Sequence, residues 1–496
     1  MRLHLTLLKE ASVRPFNEIP GPRPLPLVGN VWRYLPIIGD YDMERARENG
    51  LKNLSNYGSI VRETLYGSNS LVHLFDPNDM ETLFRNEGKF PARRSHRALM
   101  KYRRDRPHLY PSGGLFPENG EEWYRLRKMI QGIMMKPKVV NQFIPDCDLI
   151  AQSFIHYIRQ KRNEISEVDN IIEDLHYWAL ENILKIFLGI RFGALDCSGR
   201  SRIEIDHFID CVHQTHEAIM KTEIGSLDLW KYWSTKSYSQ LVKSQDSIAS
   251  MVSDLLEKRQ NSFSEDSSVQ RKDIFSFLMP QISSKDILGL TMDMILAGID
   301  TTALIVGYVL YHLAKNPPYQ RQVRKEVDEI LSASHQMTSE TIDSMKTLKA
   351  CVKEGMRLNP LSIGTGRFTT SDIIIRNYHI PKGTMIITQN QVACLQESNF
   401  SEPYSYLPER WLSYTAENPH SNHLTIRPFA YLPFGYGTRM CVGRRISEIE
   451  IYTLVARIVQ NFFVEYHYGD LRIKSRLINI PDKPLKLRFI DINGQS

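Results

Sequence analysis

The stretch PFGYGTRMCVG (Pro433–Gly443) sets one thiol, Cys441, among three glycines and one arginine. Three chemistries could use such a loop. A phosphate cradle needs GxGxxG or GxxxxGK followed by Ser or Thr, but Met440 fills the third glycine position and no lysine follows Gly443. A nucleophilic cysteine needs a base beside it, and the local sequence offers none. An axial metal thiolate accounts for the remaining features. A thiol with an ordinary pKa of ~8.5 becomes a ligand when a metal and helix-terminal amides stabilise its charge. The run CVGRRISEIEIYTLVARIV predicts a helix starting directly after Cys441, its first amides aimed at the sulfur. Gly435, Gly437 and Gly443 would let the backbone pass close to a flat macrocycle. Arg439 would pair with a carboxylate of that macrocycle, and Phe434 would shield the sulfur from water.

The elements that would position this loop are mostly helical. The chain has 496 residues, 42% hydrophobic and 24% charged, the composition of an ordinary globular protein. Basic residues exceed acidic ones by only six, so there is no excess of nucleic-acid-binding size and any functional basicity is local. Helical periodicity dominates from about Asn119 to Lys315. Strand patterns appear at GSIVRETLYG, SLVHLFD, DIIIRNYHI and TMIITQN, and again after Phe462. IPGPRPLPLVGN (Ile19–Asn30) reads as a rigid lead-in, and polar Arg259–Asp273 as an exposed loop. Ser284–Asn316 predicts a long helix that is apolar nearly all round from Ile287 to Leu313. Asp293, Asp300, Thr301 and Thr302 in its middle argue for a core helix against a lipid-exposed span.

Six cysteines (Cys147, Cys197, Cys211, Cys351, Cys394, Cys441) show no CxxC pairing, and no His/Cys cluster has zinc spacing. A reducing compartment with most thiols in the core is expected. The first residues, MRLHLTLLKEASVRPF, lack the ~20-residue apolar run of a bilayer span. Arg2, Lys9 and Arg14 with interleaved leucines fit a matrix-targeting segment over residues 1–18; Glu10 counts against it, and a plain tail is the other reading. Residues 19–496 then form one domain.

The pattern Phe434-Gly-x-Gly-x-Arg439-x-Cys441-x-Gly443, with Glu448 beyond it, resembles the haem-binding loop of the cytochrome P450 family; Ser447 stands where that family usually has alanine. The resemblance extends from about Pro20 to Leu487. It implies a mainly α fold with small β-sheets, a single large helical domain with a β-rich N-terminal subdomain. It also implies haem b held by the Cys441 thiolate. AGIDTT (Ala297–Thr302) is similar to the family's oxygen-binding segment. The Thr301 hydroxyl can bond the carbonyl of Ala297 and loosen the helix beside Gly298. The notch would take dioxygen, with Asp300 and Thr301 relaying protons; a capped polar defect in a core helix is the plainer reading. KEGMR sets Glu354 and Arg357 at i, i+3, and with Arg410 of YLPERW they resemble the family's buried structural network. Gly355 departs from the usual Glu-Thr-Leu-Arg there, at a cost of ~1 kcal/mol in helix propensity. Trp123 and Arg127 of EEWYRLRK resemble the propionate-binding helix, and Arg367 of GTGRFTT is a second candidate for that task; surface arginines are the alternative.

Thiolate ligation favours O–O cleavage. The resemblance thus implies a monooxygenase putting one atom of O2 into an unactivated C–H bond, with electrons from outside, since no flavin or dinucleotide fingerprint is present. Lys346, Lys349 and Lys353 form a helical stripe, and Arg444 and Arg445 belong to the same expected face. Such a patch would steer an acidic carrier. Lys349, Lys353 and GRRISEIE resemble mitochondrial-type members, which implies a ferredoxin (adrenodoxin-like) with its NADPH-dependent reductase and a place on the matrix side of the inner membrane. A solvated charged face is the alternative. LDLWKYWSTKSY, with Trp230 and Trp233, could dip into a membrane interface or pack on the body. Leu361, Ile363 and Thr365 are candidate pocket positions for an apolar substrate. YLPIIGDYD, ALMKYRRDR and LYPSGGLFPENGEEWYRLRK resemble arthropod ecdysteroid 22-hydroxylases and imply a steroid substrate. Rival expectations are a mitochondrial oxidase of another sterol or of foreign compounds, an oxygen-independent isomerase, against which Asp300 and Thr301 argue, and a non-enzymatic haem sensor or carrier.

Overall fold

Helix starts and stops in this chain follow local capping chemistry, and the longest helix shows it first. The Ser283 side chain accepts the Asp286 amide at 3.1 Å, and an uninterrupted helix then runs Ser284–Lys315. The computed structural model describes residues 13–35, 37–65, 70–196, 202–224, 228–265, 273–334, 336–412 and 426–492. The helices that frame the site are α1 (Gly120–Met134), α2 (Ile171–Leu188), α3 (Arg202–Ile224), α4 (Lys236–Glu265), α5 (Ser284–Lys315), α6 (Lys346–Leu358) and α7 (Arg444–Asn461). Helix α5 packs against α2, α4, α6 and α7, and α3 packs on α4. Of its most apolar 18-residue window, 83% is buried inside the protein, so its hydrophobicity serves the core. Asp293 is tolerated there because Arg103 Nη2 donates to it at 2.7 Å and the Leu115 amide donates at 2.6 Å.

The β structure is small and peripheral. Strands β1 (Ile60–Thr64), β2 (Ser70–Leu74), β3 (Thr365–Phe368) and β4 (Met385–Thr388) form one sheet in the order β1-β2-β4-β3. The hairpin β1–β2 is antiparallel with Ile60 opposite Leu74, β2 runs parallel to β4, and β3 closes the edge antiparallel. A separate apolar cluster, including Ile60, Val72, Leu74 and Ile386, lies under this sheet. Thus the fold is mainly α with small β-sheets and an N-terminal β-rich part.

Several expectations shift. Arg259–Glu265 continue α4 instead of forming a loop, and Asp273 caps the next helix by accepting the Ser276 amide at 2.8 Å; residues 266–272 lie outside the described ones. A polar, serine-rich run reads like a loop in one dimension. The targeting segment over 1–18 falls outside the described residues as far as residue 12. Arg14, however, docks on the body: its amide donates to the Asn377 carbonyl at 2.6 Å and its guanidinium lies 3.8 Å from the Tyr378 ring centroid. The stretch YLPIIGDYD has Pro36 outside the described residues, and Cys197 lies outside them too. Gly355 gains a physical reason: a Cβ there would sit 3.3 Å from Val309 Cγ2 of α5, so glycine lets α6 and α5 approach.

Glu354 and Arg357 are fully buried and paired twice, at 2.8 and 2.7 Å. Arg357 also donates to the carbonyls of Cys394, Pro403 and Ser405, while Glu354 accepts from Arg410 Nε at 3.1 Å, Trp411 Nε1 at 2.9 Å and the Leu407 amide at 3.0 Å. The hub staples α6 to the irregular chain that leads to Cys441. Because it leaves a buried carboxylate without its main cation, Arg357→Ala should cost about 3–5 kcal/mol and lower the thermal midpoint in calorimetry. An unchanged midpoint would dismiss the hub as a stabiliser.

Burial pushes the Glu450 carboxyl of α7 up to about 8. The unfolded chain keeps an ordinary carboxylate pKa, so the folded state loses stability as pH rises from that range through about 8. The thermal midpoint of Glu450→Gln, relative to the parent, should therefore climb between about pH 5 and about pH 8.5. A constant difference across that range counts against a protonated Glu450.

Candidate active site

The loop Pro433–Gly443 is shaped by two left-handed glycines and closed by the Cys441 amide, which donates to the Phe434 carbonyl at 2.8 Å. Gly437 has φ +77°, and a Cβ there would collide with Glu87 Oε1 at 2.1 Å. Glu87 fills that space for a reason: its carboxylate accepts from Arg367 Nε at 2.7 Å and from the Thr438 amide. Helix α7 begins at Arg444 with Gly443 as its N-cap, two residues later than the sequence predicts. The effect on the sulfur is the expected one. Burial pushes the Cys441 thiol up, and the amides of Gly443 and Arg444 with the charge of Arg127 pull it back. Gly443 has an ordinary helical φ of −81°, so its value lies in the cap and not in left-handed freedom.

Cys441 lines a cavity of about 140 Å³. Its walls come from α1 (Trp123, Arg127), α5 (Ala297, Thr301), the cysteine loop and Arg93. The polar groups at one end are unusual. Arg439 is buried, lies 4.1 Å from the Trp123 ring centroid, and spends only Nη2 on a carbonyl, that of Glu118, at 2.5 Å. Its Nε and Nη1 have no partner. Burial, with Arg93 and Arg367 nearby, lowers the Arg439 pKa to about 8; burial alone accounts for most of a fall to about 10 at Arg127 and Arg93. Arg127 Nε donates to Gln131, and Arg93 Nη2 to the Phe116 carbonyl, leaving Arg93 Nε unpaired. Such buried, under-neutralised cations are tolerable only beside anions. A flat group carrying carboxylates at this end and a metal over Cys441 satisfies both ends of the cavity. The residues fit haem.

Arg93 and Glu87 were not foreseen; a loop arginine in ARRS and a lone glutamate carry no sequence signal. Arg367 was foreseen as a carboxylate ligand, but it is already paired with Glu87, and it bears on the cavity through the charge it presents to Arg439. Thr301 donates to the Ala297 carbonyl at 2.6 Å, yet the helix stays α-helical through Gly298, so no break opens there; a Cβ on Gly298 would instead press on Ile183 at 3.2 Å. Thr301 lines the Cys441 cavity, whereas Asp300 faces a second cavity on another side of α5. There it accepts from His213 Nε2 at 3.0 Å and His216 Nδ1 at 2.8 Å, with His176 Nε2 at 3.5 Å. Three histidines and a carboxylate thus meet where the sequence offered no zinc-like spacing; only His213 and His216, one helical turn apart, were adjacent enough to read. Leu361, Ile363 and Thr365 are half-buried at the approach to β3, outside the wall of the Cys441 cavity.

On the opposite face of the loop, Lys349, Lys353 and Arg444 lie close enough that each neighbour lowers the Lys353 pKa after burial does. Lys349 pairs with Asp343 at 2.6 Å, Arg444 with Glu448 at 3.0 Å, and Arg445 is exposed. Phe434 packs on the core, with Arg444 5.6 Å from its ring centroid. Of the two tryptophans, Trp230 is buried and donates to the Thr222 carbonyl at 3.1 Å, so it packs on the body, while Trp233 is 67% exposed beside an exposed Tyr232.

A family-wide sequence description, Cytochrome P450, matches residues 19–489. Among similar proteins of Drosophila melanogaster, "Cytochrome P450 302a1, mitochondrial" is 34% identical over 98% of this chain and 97% of its own length. "Probable cytochrome P450 12a5, mitochondrial" is 30% identical over 97% and 92%, and "Ecdysone 20-monooxygenase" 28% identical over 96% and 88%. A thiol ringed by amides at the foot of a helix, arginines short of anions, and a match along nearly the whole chain agree: the chain belongs to the cytochrome P450 family, haem-thiolate monooxygenases that carry haem b on a cysteine.

Proposed function

We propose that this chain is a ferredoxin-dependent steroid hydroxylase acting in the mitochondrion on the matrix side of the inner membrane, with hydroxylation of carbon 22 of an ecdysteroid precursor as its reaction. The observation that carries the reading is the joint placement of Cys441 and the partner-poor Arg439 at one cavity. Cys441 would hold the haem iron through its sulfur, which the amides of Gly443 and Arg444 support. Arg439, Arg127 and Arg93 would receive the haem carboxylates, while Trp123 packs against Arg439 and Arg367 with Glu87 sets the loop behind them. Phe434 covers the loop's outer side, and Gly443 caps the helix. Haem b, when bound, supplies reductive activation of O2 at a thiolate-ligated iron.

The net reaction gives one oxygen atom to a C–H bond and releases the other as water, consuming two electrons and two protons. Thr301 holds a hydroxyl in the cavity wall and Asp300 an ionised carboxylate on the outer side, so together they form a path for those protons. Although burial opposes it, hydrogen bonds from His213 and His216 keep Asp300 well below the usual carboxylate range. Lys349, Lys353, Arg444 and Arg445 present the basic face to an acidic ferredoxin, itself reduced by an NADPH-dependent reductase. Exposed Tyr232 and Trp233 suit a shallow membrane contact. The steroid assignment draws support from the quoted stretches and from the ecdysone 20-monooxygenase among the similar proteins.

Reconstitution with ferredoxin, reductase, NADPH and ecdysteroid precursors, read by mass spectrometry, should give a product sixteen mass units heavier, hydroxylated on the side chain. Oxidation of unrelated compounds alone would defeat the substrate assignment. Cys441→Ala should lose the thiolate-type spectrum of the reduced carbon monoxide complex, and Thr301→Ala should consume O2 with little product, measured by an oxygen electrode beside product yield. Arg439→Leu removes a buried cation whose Nε and Nη1 have no partner without haem. Its haem-free form should melt no lower than the parent's, while its loaded form should lose haem to apomyoglobin at least about tenfold faster. Lower apo stability with unchanged haem loss would overturn the role given to Arg439. Charge reversal at Lys349 and Arg445 should slow reduction by ferredoxin, most at low salt; a salt-independent rate equal to the parent's would end the docking assignment.

A further inference from the structure

Helices α2, α3 and α5 converge on one carboxylate, and the side chains gathered there are those of a metal centre. We propose that His176, His213 and Asp300 form a zinc-binding site on the side of α5 away from the Cys441 cavity. Their ligand atoms all lie within 4.8 Å of one another. His213 Nε2 is 3.0 Å and His176 Nε2 3.5 Å from the same oxygen, Asp300 Oδ1, and the two rings meet edge to face at 4.6 Å. Tetrahedral zinc with bonds of about 2.0–2.1 Å holds neighbouring ligand atoms roughly 3.4 Å apart. The two nitrogen–oxygen separations are already close to that spacing, and the two nitrogens lie within 4.8 Å of each other.

His176 is the member that hydrogen bonding leaves unexplained. It is buried, its Nδ1 has no partner, and its Nε2 stands at the long limit of an interaction with Asp300. A metal between Nε2 and Asp300 would turn that long contact into two coordination bonds. His216 serves the outer layer: its Nδ1 donates to the other carboxylate oxygen, Oδ2, at 2.8 Å and so fixes the orientation of Asp300. The adjoining cavity, about 640 Å³, gives an ion its approach and leaves room for a water as fourth ligand. Two nitrogens and one oxygen suit zinc and disfavour magnesium or calcium, which take all-oxygen shells. If Asp300 passes protons inward, as proposed above, zinc on its carboxylate blocks that path and inhibits turnover; only this consequence rests on the earlier reading.

The test uses the full-length, haem-loaded protein, freed of loose metal by chelating resin. Equilibrium dialysis against zinc chloride, with metal counted by mass spectrometry, should retain one zinc ion per chain at micromolar free zinc. X-ray absorption at the zinc edge should show nitrogen and oxygen at about 2.0 Å with imidazole scattering. His176→Phe and His213→Gln should each weaken retention by at least about tenfold, with folding monitored by the carbon monoxide spectrum. Millimolar magnesium should not compete. No retained zinc, sulfur in the zinc shell, or retention unchanged in both variants overturns the site. Should a variant fail to fold, the shell of the parent protein decides by itself. Zinc bound with the parent rate of product formation intact would uphold the site and remove Asp300 from proton delivery.

Discussion

Unpaired positive charge inside the protein is the constraint around which the site is built. Arg439, Arg127 and Arg93 converge on one end of a cavity, and burial drags their pKa values down because too little negative charge is present. Protein interiors charge heavily for such groups. The fold meets part of that cost with carbonyls of Glu118 and Phe116 and with the ring of Trp123, and leaves the rest for the cofactor. Guanidiniums held ready in this way would favour an anionic group, which would be received by dipoles and charges already in place with little reorganisation. The same end of the cavity is braced from behind by Glu87, which neutralises Arg367 and fixes the backbone of the cysteine loop at Thr438.

How much of this is legible in one dimension depends on whether a residue's task is local. The cysteine loop is legible because left-handed glycines and a helix cap dictate residue types at fixed short spacing, and α5 because an apolar run interrupted by acids is a core helix with work to do. The Glu354–Arg357 pair is legible as a helical i, i+3 contact, though its carbonyl partners are not. Arg93, Glu87 and the histidines around Asp300 are invisible for one reason: tertiary packing alone brings positions 87, 93, 176 and 213 to their partners. The misread stretch at Arg259–Glu265 fails differently. Serine, asparagine and glutamine at the end of α4 satisfy loop statistics as well as helix geometry, and only the continuation of the helix decides.

Gly355 illustrates how a local penalty is outweighed by a packing gain. Mid-helix glycine costs propensity on any scale, yet the backbone of α6 must lie against Val309 and His312 of α5. Since α6 also carries Glu354 and Arg357, that close approach locks the hub to the helix bearing Asp300 and Thr301. The chain through Cys394, Pro403 and Ser405, hung from Arg357, then has a fixed point relative to the cavity.

Asp300 and Thr301 are neighbours in sequence and yet serve different compartments. An α-helix turns about 100° per residue, so consecutive side chains leave it in different directions. Thr301 lines the cavity of Cys441, and Asp300 lines the one walled by α2, α3 and the segment around Ile478. A helix between two cavities can therefore hand a proton across one residue step while keeping bulk water from the cysteine side, which a straight channel could not do. The price is that the outer carboxylate must be held ionised and correctly turned without water's help, and His213 and His216 on successive turns of α3 do this from one face. Because α3 also covers the cavity, any motion that lifts α3 loosens Asp300 at the same time. The orientation of Asp300 and the cover over the outer cavity therefore depend on the same pair of hydrogen bonds.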